Sequence, residues 1–100
     1  MTIRVVVVDD ETYLAEAVGT ALKRAGMDVR VAFSGTEALM LIDDLRPDVV
    51  VLDRDLPGVH GDEVCREVVD THPATRVIML TASGTLDDRL EGFDLGVDDY

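Results

Sequence analysis

The chain contains one cysteine, one lysine and no tryptophan, and its only aromatic residues are two Tyr and two Phe. A single thiol, Cys65, cannot close an internal disulfide, so a reducing, cytoplasmic setting is the simplest expectation. With so few aromatics, the core has to be built from Val, Leu, Ile, Ala and Met. No apolar run approaches the ~18 residues of a membrane span. The start, Met1–Arg4 followed by Val5–Val8, lacks a basic leader and a small-residue cleavage site, so no signal peptide is expected. Positive charge is scarce too: 9 basic residues face 21 acidic ones, a formal net charge of −12. Such a field repels phosphate backbones and anionic membranes, so this domain is expected to bind neither nucleic acid nor membrane directly. What the chain does have is hydrophobic residues, at 47%, which is enough for a core and rules out disorder. At 100 residues it holds one small domain.

Apolar runs alternate with amphipathic stretches along the whole length. Ile3–Val8 is nearly unbroken β-branched sequence, as in a strand covered on both faces. A helix is expected next, with Thr12 as N-cap, Leu14, Val18, Ala21, Leu22 and Ala25 on its apolar face, and Gly26 as its stop. Val29–Phe33 alternates apolar and polar residues and suits an edge strand. Ser34-Gly35-Thr36-Glu37 fits a capping box ahead of a second helix, whose stripe is Ala38, Leu41, Ile42 and Leu45. Asp48–Asp53 reads as the most buried strand, and the Pro-Gly turn Leu56–Gly61 follows it. A third helix carries Val64, Cys65, Val68 and Val69. Arg76–Thr81 gives a fourth strand, and Leu86, Leu90 and Phe93 mark a fourth helix ending at Gly96. Val97–Tyr100 leads into a fifth strand. Strands and helices that alternate with connections this short imply right-handed crossovers: an α/β, doubly wound parallel sheet with helices on both faces.

In such sheets, ligands gather at the carboxyl ends of the strands. There the first strand delivers Asp9, Asp10 and Glu11, the third delivers Asp53, and the fourth delivers Thr81. Carboxylates crowded on one rim raise one another's pKa values or recruit a cation. A site built only of oxygen ligands suits a hard ion, Mg²⁺. Taken singly, each acid also fits a solvated strand end beside a helix dipole. Jointly, two apolar strands ending in acids and a third ending in a hydroxyl favour a site. Asp53 is the expected nucleophile, because a carboxylate can accept a phosphoryl group. Thr81 would donate a hydrogen bond to that group.

Val7-Val8-Asp9-Asp10-Glu11, Leu52-Asp53-Arg54-Asp55-Leu56-Pro57-Gly58, Met79-Leu80-Thr81-Ala82 and Gly96-Val97-Asp98-Asp99-Tyr100 together resemble the receiver domains of bacterial two-component response regulators, of the winged-helix transcription-factor type. The resemblance implies a flavodoxin-like sheet of order 2-1-3-4-5 and phosphorylation by a sensor histidine kinase. It implies Asp53 as phosphoacceptor, Thr81 as switch hydroxyl and Tyr100 as switch aromatic. It also implies Mg²⁺ held directly by Asp10 and Asp53, by Asp9 through water, and by the backbone carbonyl of Asp55. Such a domain is a stoichiometric phosphoacceptor that takes part in its own phosphotransfer and dephosphorylation, not an enzyme.

Two features depart from the family pattern. The family lysine would fall at position 103, past the last residue, and Lys23 is in the wrong place to replace it. Residues 1–100 are therefore expected to be a C-terminally incomplete receiver, with strand 5 incomplete and helix 5 absent. That would leave the fourth strand as a partly unpaired edge, prone to homodimerisation or element swapping. The second departure is Arg54-Asp55, which sets another carboxylate beside the phosphoacceptor, where its charge is expected to alter the lifetime of the acyl phosphate.

Two rival readings stay open on sequence. A haloacid-dehalogenase-like phosphatase fragment would use Asp53, Asp55, Thr81 and Asp98-Asp99, but no lysine follows Asp53 and a whole strand–helix–strand–helix unit precedes it. A phosphorylation-independent acidic interaction domain is the other. A flavin carrier is disfavoured by the acids after the first strand. His60 and His72 read as solvent-facing turn and helix-end residues, Cys65 as a small core residue, Met27, Met40 and Met79 as packing, and Tyr13 as exposed.

Overall fold

A computed structural model describes residues 2–80 of the chain. The expected fourth helix and fifth strand, Thr81 and Tyr100 lie outside the described residues. Seven elements alternate: β1 (Arg4–Val8), α1 (Thr12–Arg24), β2 (Asp28–Ala32), α2 (Gly35–Leu45), β3 (Val49–Asp53), α3 (Gly61–Thr71) and β4 (Arg76–Leu80). The strands form one parallel sheet of order β2-β1-β3-β4, the expected topology as far as it is described.

The period-2 alternation of the strands sorts the core into two layers. Val6, Val8, Ala32, Val50, Leu52, Val77 and Met79 face α2 and α3, where they meet Ala38, Ile42, Val64, Cys65 and Val68. Val5, Val7 and Val29 face the other way and pack with Val18, Leu22, Met27, Val31, Val49 and Val51. β1 is thus buried on both faces from Val5 to Val8, as its unbroken valines predict. β3 is less enclosed than expected: Val49 and Val51 are only half-buried, so β1 is the more buried strand. Parallel register pairs Val8 with Leu52 and Asp53 with Leu80. At the opposite end of the sheet, the Arg4 amide donates to Asp48 Oδ2 at 2.9 Å, and the Asp48 amide donates to the Arg4 carbonyl at 2.9 Å.

Helix termini follow the local chemistry, with one correction. Ser34 caps α2, its Oγ accepting the Glu37 amide at 3.1 Å. Gly26 takes φ +94° just past α1 and stops it, as expected. Thr12, however, is the first helical residue and not the cap. Glu11 occupies the N-cap without a side-chain hydrogen bond.

The buried face of α1 is also rotated from the expected one. Ala15 and Gly19 are buried, while Leu14 is 45% exposed and Ala21 and Ala25 lie in solvent. Small residues win because α1 lies close on β2: a Cβ at Gly19 would sit 3.0 Å from Val31 Cγ2. Met40 is 68% exposed and does not pack in the core, whereas Met79 is fully buried. Cys65 is buried, as read from its helical position, and Tyr13 is 88% exposed. His72 is not simply solvent-facing: its Nε2 lies 2.7 Å from Asp43 Oδ1, tying the end of α3 to α2.

Candidate functional site

The carboxyl ends of β1 and β3 are adjacent, and both close on the same device. Asp9 Oδ1 accepts the Glu11 amide at 2.9 Å, and Asp53 Oδ1 accepts the Asp55 amide at 3.1 Å. Each is a turn in which an aspartate side chain bonds its own backbone two residues on. The turn fixes the carboxylate by engaging one oxygen of each aspartate. The Asp9 amide also donates to the Ala32 carbonyl at 3.1 Å, so the sheet holds that residue from below.

Asp9, Asp10 and Asp53 converge as the sequence predicts. Each offers a carboxylate oxygen, and these oxygens lie within 4.8 Å of one another. Asp9 is buried at 7% exposure, Asp53 is half-buried, and Asp10 lies in solvent. Asp53 holds its carboxyl above the ordinary value of 3.8. Burial is the largest cause, the Asp55 amide opposes it, and repulsion from Asp9, Asp55 and Asp10 adds to the rise. Three convergent oxygen donors with no sulfur or imidazole among them match the chemistry of a hard divalent ion.

The loop after β3 is clamped at its base. The Arg54 amide donates to the Leu80 carbonyl at 3.0 Å, and the Arg54 carbonyl accepts the Gly61 amide at 3.1 Å. Gly61 opens α3 so close to β3 that a Cβ there would lie 2.5 Å from the Asp53 carbonyl oxygen and 2.6 Å from Arg54 Cα. Leu56, at 1% exposure, anchors the middle of the loop in the core. Arg54 Nε sits 3.2 Å from Asp62 Oδ1 in the first turn of α3. That oxygen is buried and makes no aligned hydrogen bond, so the contact is charge attraction rather than a directed bond. Sequence reasoning singled out Arg54 but not its partner Asp62 or the close approach at Gly61; a glycine opening a helix is the one trace these left in the sequence. Thr81 and Tyr100 lie outside the described residues, although Leu80, which precedes Thr81, is the register partner of Asp53.

A parallel sheet with acids converging at the ends of β1 and β3 defines a class, and comparison with known proteins gives the same one. Residues 5–100 match the response regulator receiver domain, and the chain belongs to this family. It is 57% identical over 97 residues to the transcriptional regulatory protein CutR of Streptomyces coelicolor, covering 97% of this chain and 45% of that protein. The chain therefore spans less than half the length of the curated relatives it matches. Among solved structures it is similar to the receiver domain of Francisella response regulator 1452, at TM-score 0.92 and 34% identity over 99% of this chain and 82% of that one. It is also similar to the Thermotoga maritima response regulator DrrB, an OmpR/PhoB homologue, at TM-score 0.88 and 36% identity over 100% of this chain and 45% of that one. No helix among the described residues is long and apolar enough to cross a membrane.

Proposed function

We propose that this domain accepts one phosphoryl group from the phosphohistidine of a sensor kinase onto Asp53, and that the phosphorylated domain controls an output, most naturally transcription. The convergence of Asp9, Asp10 and Asp53 at the sheet rim carries the reading. An Asp53 carboxylate oxygen attacks phosphorus, a P–O bond forms as the donor's P–N bond breaks, and the imidazole nitrogen keeps the electron pair. The product is an acyl phosphate. The turn to the Asp55 amide holds the Asp53 carboxylate in one orientation during attack. Asp10 and Asp53 would hold Mg²⁺ directly, Asp9 through water and Asp55 through its backbone carbonyl. The ion would neutralise the oxygens of the transferring group. Thr81 and Tyr100 are assigned the switching roles on family resemblance. The transcriptional output rests on the description of CutR and the OmpR/PhoB homology of DrrB. A kinase-fed regulator of this kind would work in the cytoplasm as a stoichiometric acceptor.

Incubation with Mg²⁺ and a small phosphodonor tests this by mass spectrometry. One added phosphoryl group on the wild type and none on Asp53→Asn is the expected result. If a chain extended past position 103 also takes up no phosphate, the domain is a phosphorylation-independent interaction module. Turnover of a generic phosphomonoester would instead restore the phosphatase reading.

A further inference from the structure

The loop that carries Asp55 is closed at its base by three features in one place. These are the Gly61 amide on the Arg54 carbonyl, the backbone contact of Gly61 with Asp53 and Arg54, and the side-chain approach of Arg54 Nε to Asp62 Oδ1. The first is a backbone bond that many sequences would satisfy, and the second asks only for a glycine at the start of α3. The third is a choice of side chains, and its chemistry is unusual for its location. A guanidinium next in sequence to Asp53 sits beside a cluster of acids, yet it lies 3.2 Å from an acid on α3. The acid's near oxygen is buried and receives no aligned hydrogen bond.

We propose that Arg54 and Asp62 are positioning residues for the Asp53 site. Their attraction pins the start of α3 to the end of β3 and so sets the loop from Asp55 to His60. It thereby holds the Asp55 amide on Asp53 Oδ1, the bond that orients the carboxylate. Charge attraction suits this role because it tolerates small shifts in angle, whereas a directed hydrogen bond would not. The same hold keeps the Asp53 carboxylate in the arrangement that a metal ion shared with Asp9 and Asp10 would use. The Mg²⁺ part of this inference rests on the function proposed above; the orientation of the Asp55 amide does not.

The test compares the 100-residue wild type with Arg54→Ala, Asp62→Asn, the double variant and the conservative Arg54→Lys. Two readouts apply: the exchange rate and temperature coefficient of the Asp55 amide proton by NMR, and Mg²⁺ affinity by titration calorimetry. Each single removal is expected to loosen the Asp55 amide and to weaken Mg²⁺ binding by about tenfold, the low end of the loss seen when groups that orient metal ligands are removed. The double variant should be no worse than the singles, and Arg54→Lys should recover part of the loss. An Asp55 amide unchanged in both single variants overturns the proposal, as do losses that simply add in the double variant. If Arg54→Ala fails to fold, Asp62→Asn and Arg54→Lys are read in its place, and if Asp62→Asn fails, Arg54→Ala and Arg54→Lys are; an Asp55 amide unchanged in the remaining removal variant then overturns the proposal. A wild type that binds no Mg²⁺ would refute the metal site, and the Asp55 amide would still decide the positioning role.

Discussion

Replacing Asp53 by Asn should stabilise the metal-free domain and destabilise it relative to wild type once Mg²⁺ is present. Three carboxylate oxygens lie within 4.8 Å of one another. At that separation two unit charges repel by about 0.9 kcal/mol in water and about 3.5 kcal/mol at an effective dielectric of about 20. Asp53 is only half-buried, so solvent screening places each pair near the lower figure. Relief from its two neighbours, Asp9 and Asp10, then amounts to about 1–2 kcal/mol. The asparagine oxygen can still accept the Asp55 amide, so the turn that fixes the side chain survives the change. For a domain of this size each kcal/mol moves the midpoint by about 4–8 °C. Thermal unfolding followed by circular dichroism in excess chelator should therefore show Asp53→Asn melting higher than wild type. Mg²⁺ at a hundred times its dissociation constant adds about 2.7 kcal/mol to a protein that binds it only when folded. Wild type should gain that increment, the variant should gain little, and the order of midpoints should reverse. An asparagine variant that melts at or below wild type in chelator would refute the electrostatic reasoning, whatever its phosphorylation behaviour.

Acidity offers a second view of the same group. The folded-state pKa of Asp53 is raised above 3.8, so its contribution is fully favourable below the unfolded value and is lost as pH rises through the folded one. Metal-free wild type should thus lose more stability than Asp53→Asn across that window, measured by urea unfolding at a series of pH values. Gly61→Ala should destabilise by more than 1 kcal/mol, because the new methyl meets backbone rather than a movable side chain, and by moving α3 it should also weaken Mg²⁺ binding. Equal midpoints for Gly61→Ala and wild type would contradict the close approach. Cys65, fully buried, should resist a thiol reagent in the folded domain and react once denatured. Asp55→Asn removes a charge that repels the Asp53 site, so the acyl phosphate should hydrolyse more slowly than on wild type; an unchanged decay rate would dismiss that charge from the kinetics.

The parallel sheet and the acid cluster were legible in the sequence because both follow from local pattern plus one topological rule, while the strand order was implied by the family resemblance. Four valines ending in Asp9-Asp10, and an apolar run ending in Asp53, leave little freedom about where those acids emerge. Features that depend on how closely two elements approach were not legible. The rotation of α1 onto Ala15 and Gly19 reverses what hydrophobicity alone favours, since Leu14 is the larger apolar residue, yet a small face permits tighter contact with β2. Met40 was expected to pack, but it lies two residues past Ala38, about 200° round α2 from the buried stripe, and is exposed. The pairing of His72 with Asp43, 29 residues apart, has no sequence signature, and neither has that of Arg54 with Asp62 across a loop. Thr12 is the better capping residue by type, but Glu11, its amide held by the Asp9 turn, takes the N-cap and α1 starts one residue earlier than expected.

A row of four valines beside Val-Val-Val-Leu is nearly silent about its own alignment. Sliding one strand past the other by a residue would turn every side chain to the opposite layer and still bury valine against valine. What breaks that degeneracy sits at one polar extremity: the Arg4 amide on Asp48 Oδ2 and the Asp48 amide on the Arg4 carbonyl join β1 directly to the start of β3, whereas each aspartate turn at the other end is local to its own strand. Asp48, at the far end of the sheet from the acid cluster, is thus the lock that tells the central strands where to stop, so a substitution there would loosen their threading while leaving the clustered acids untouched.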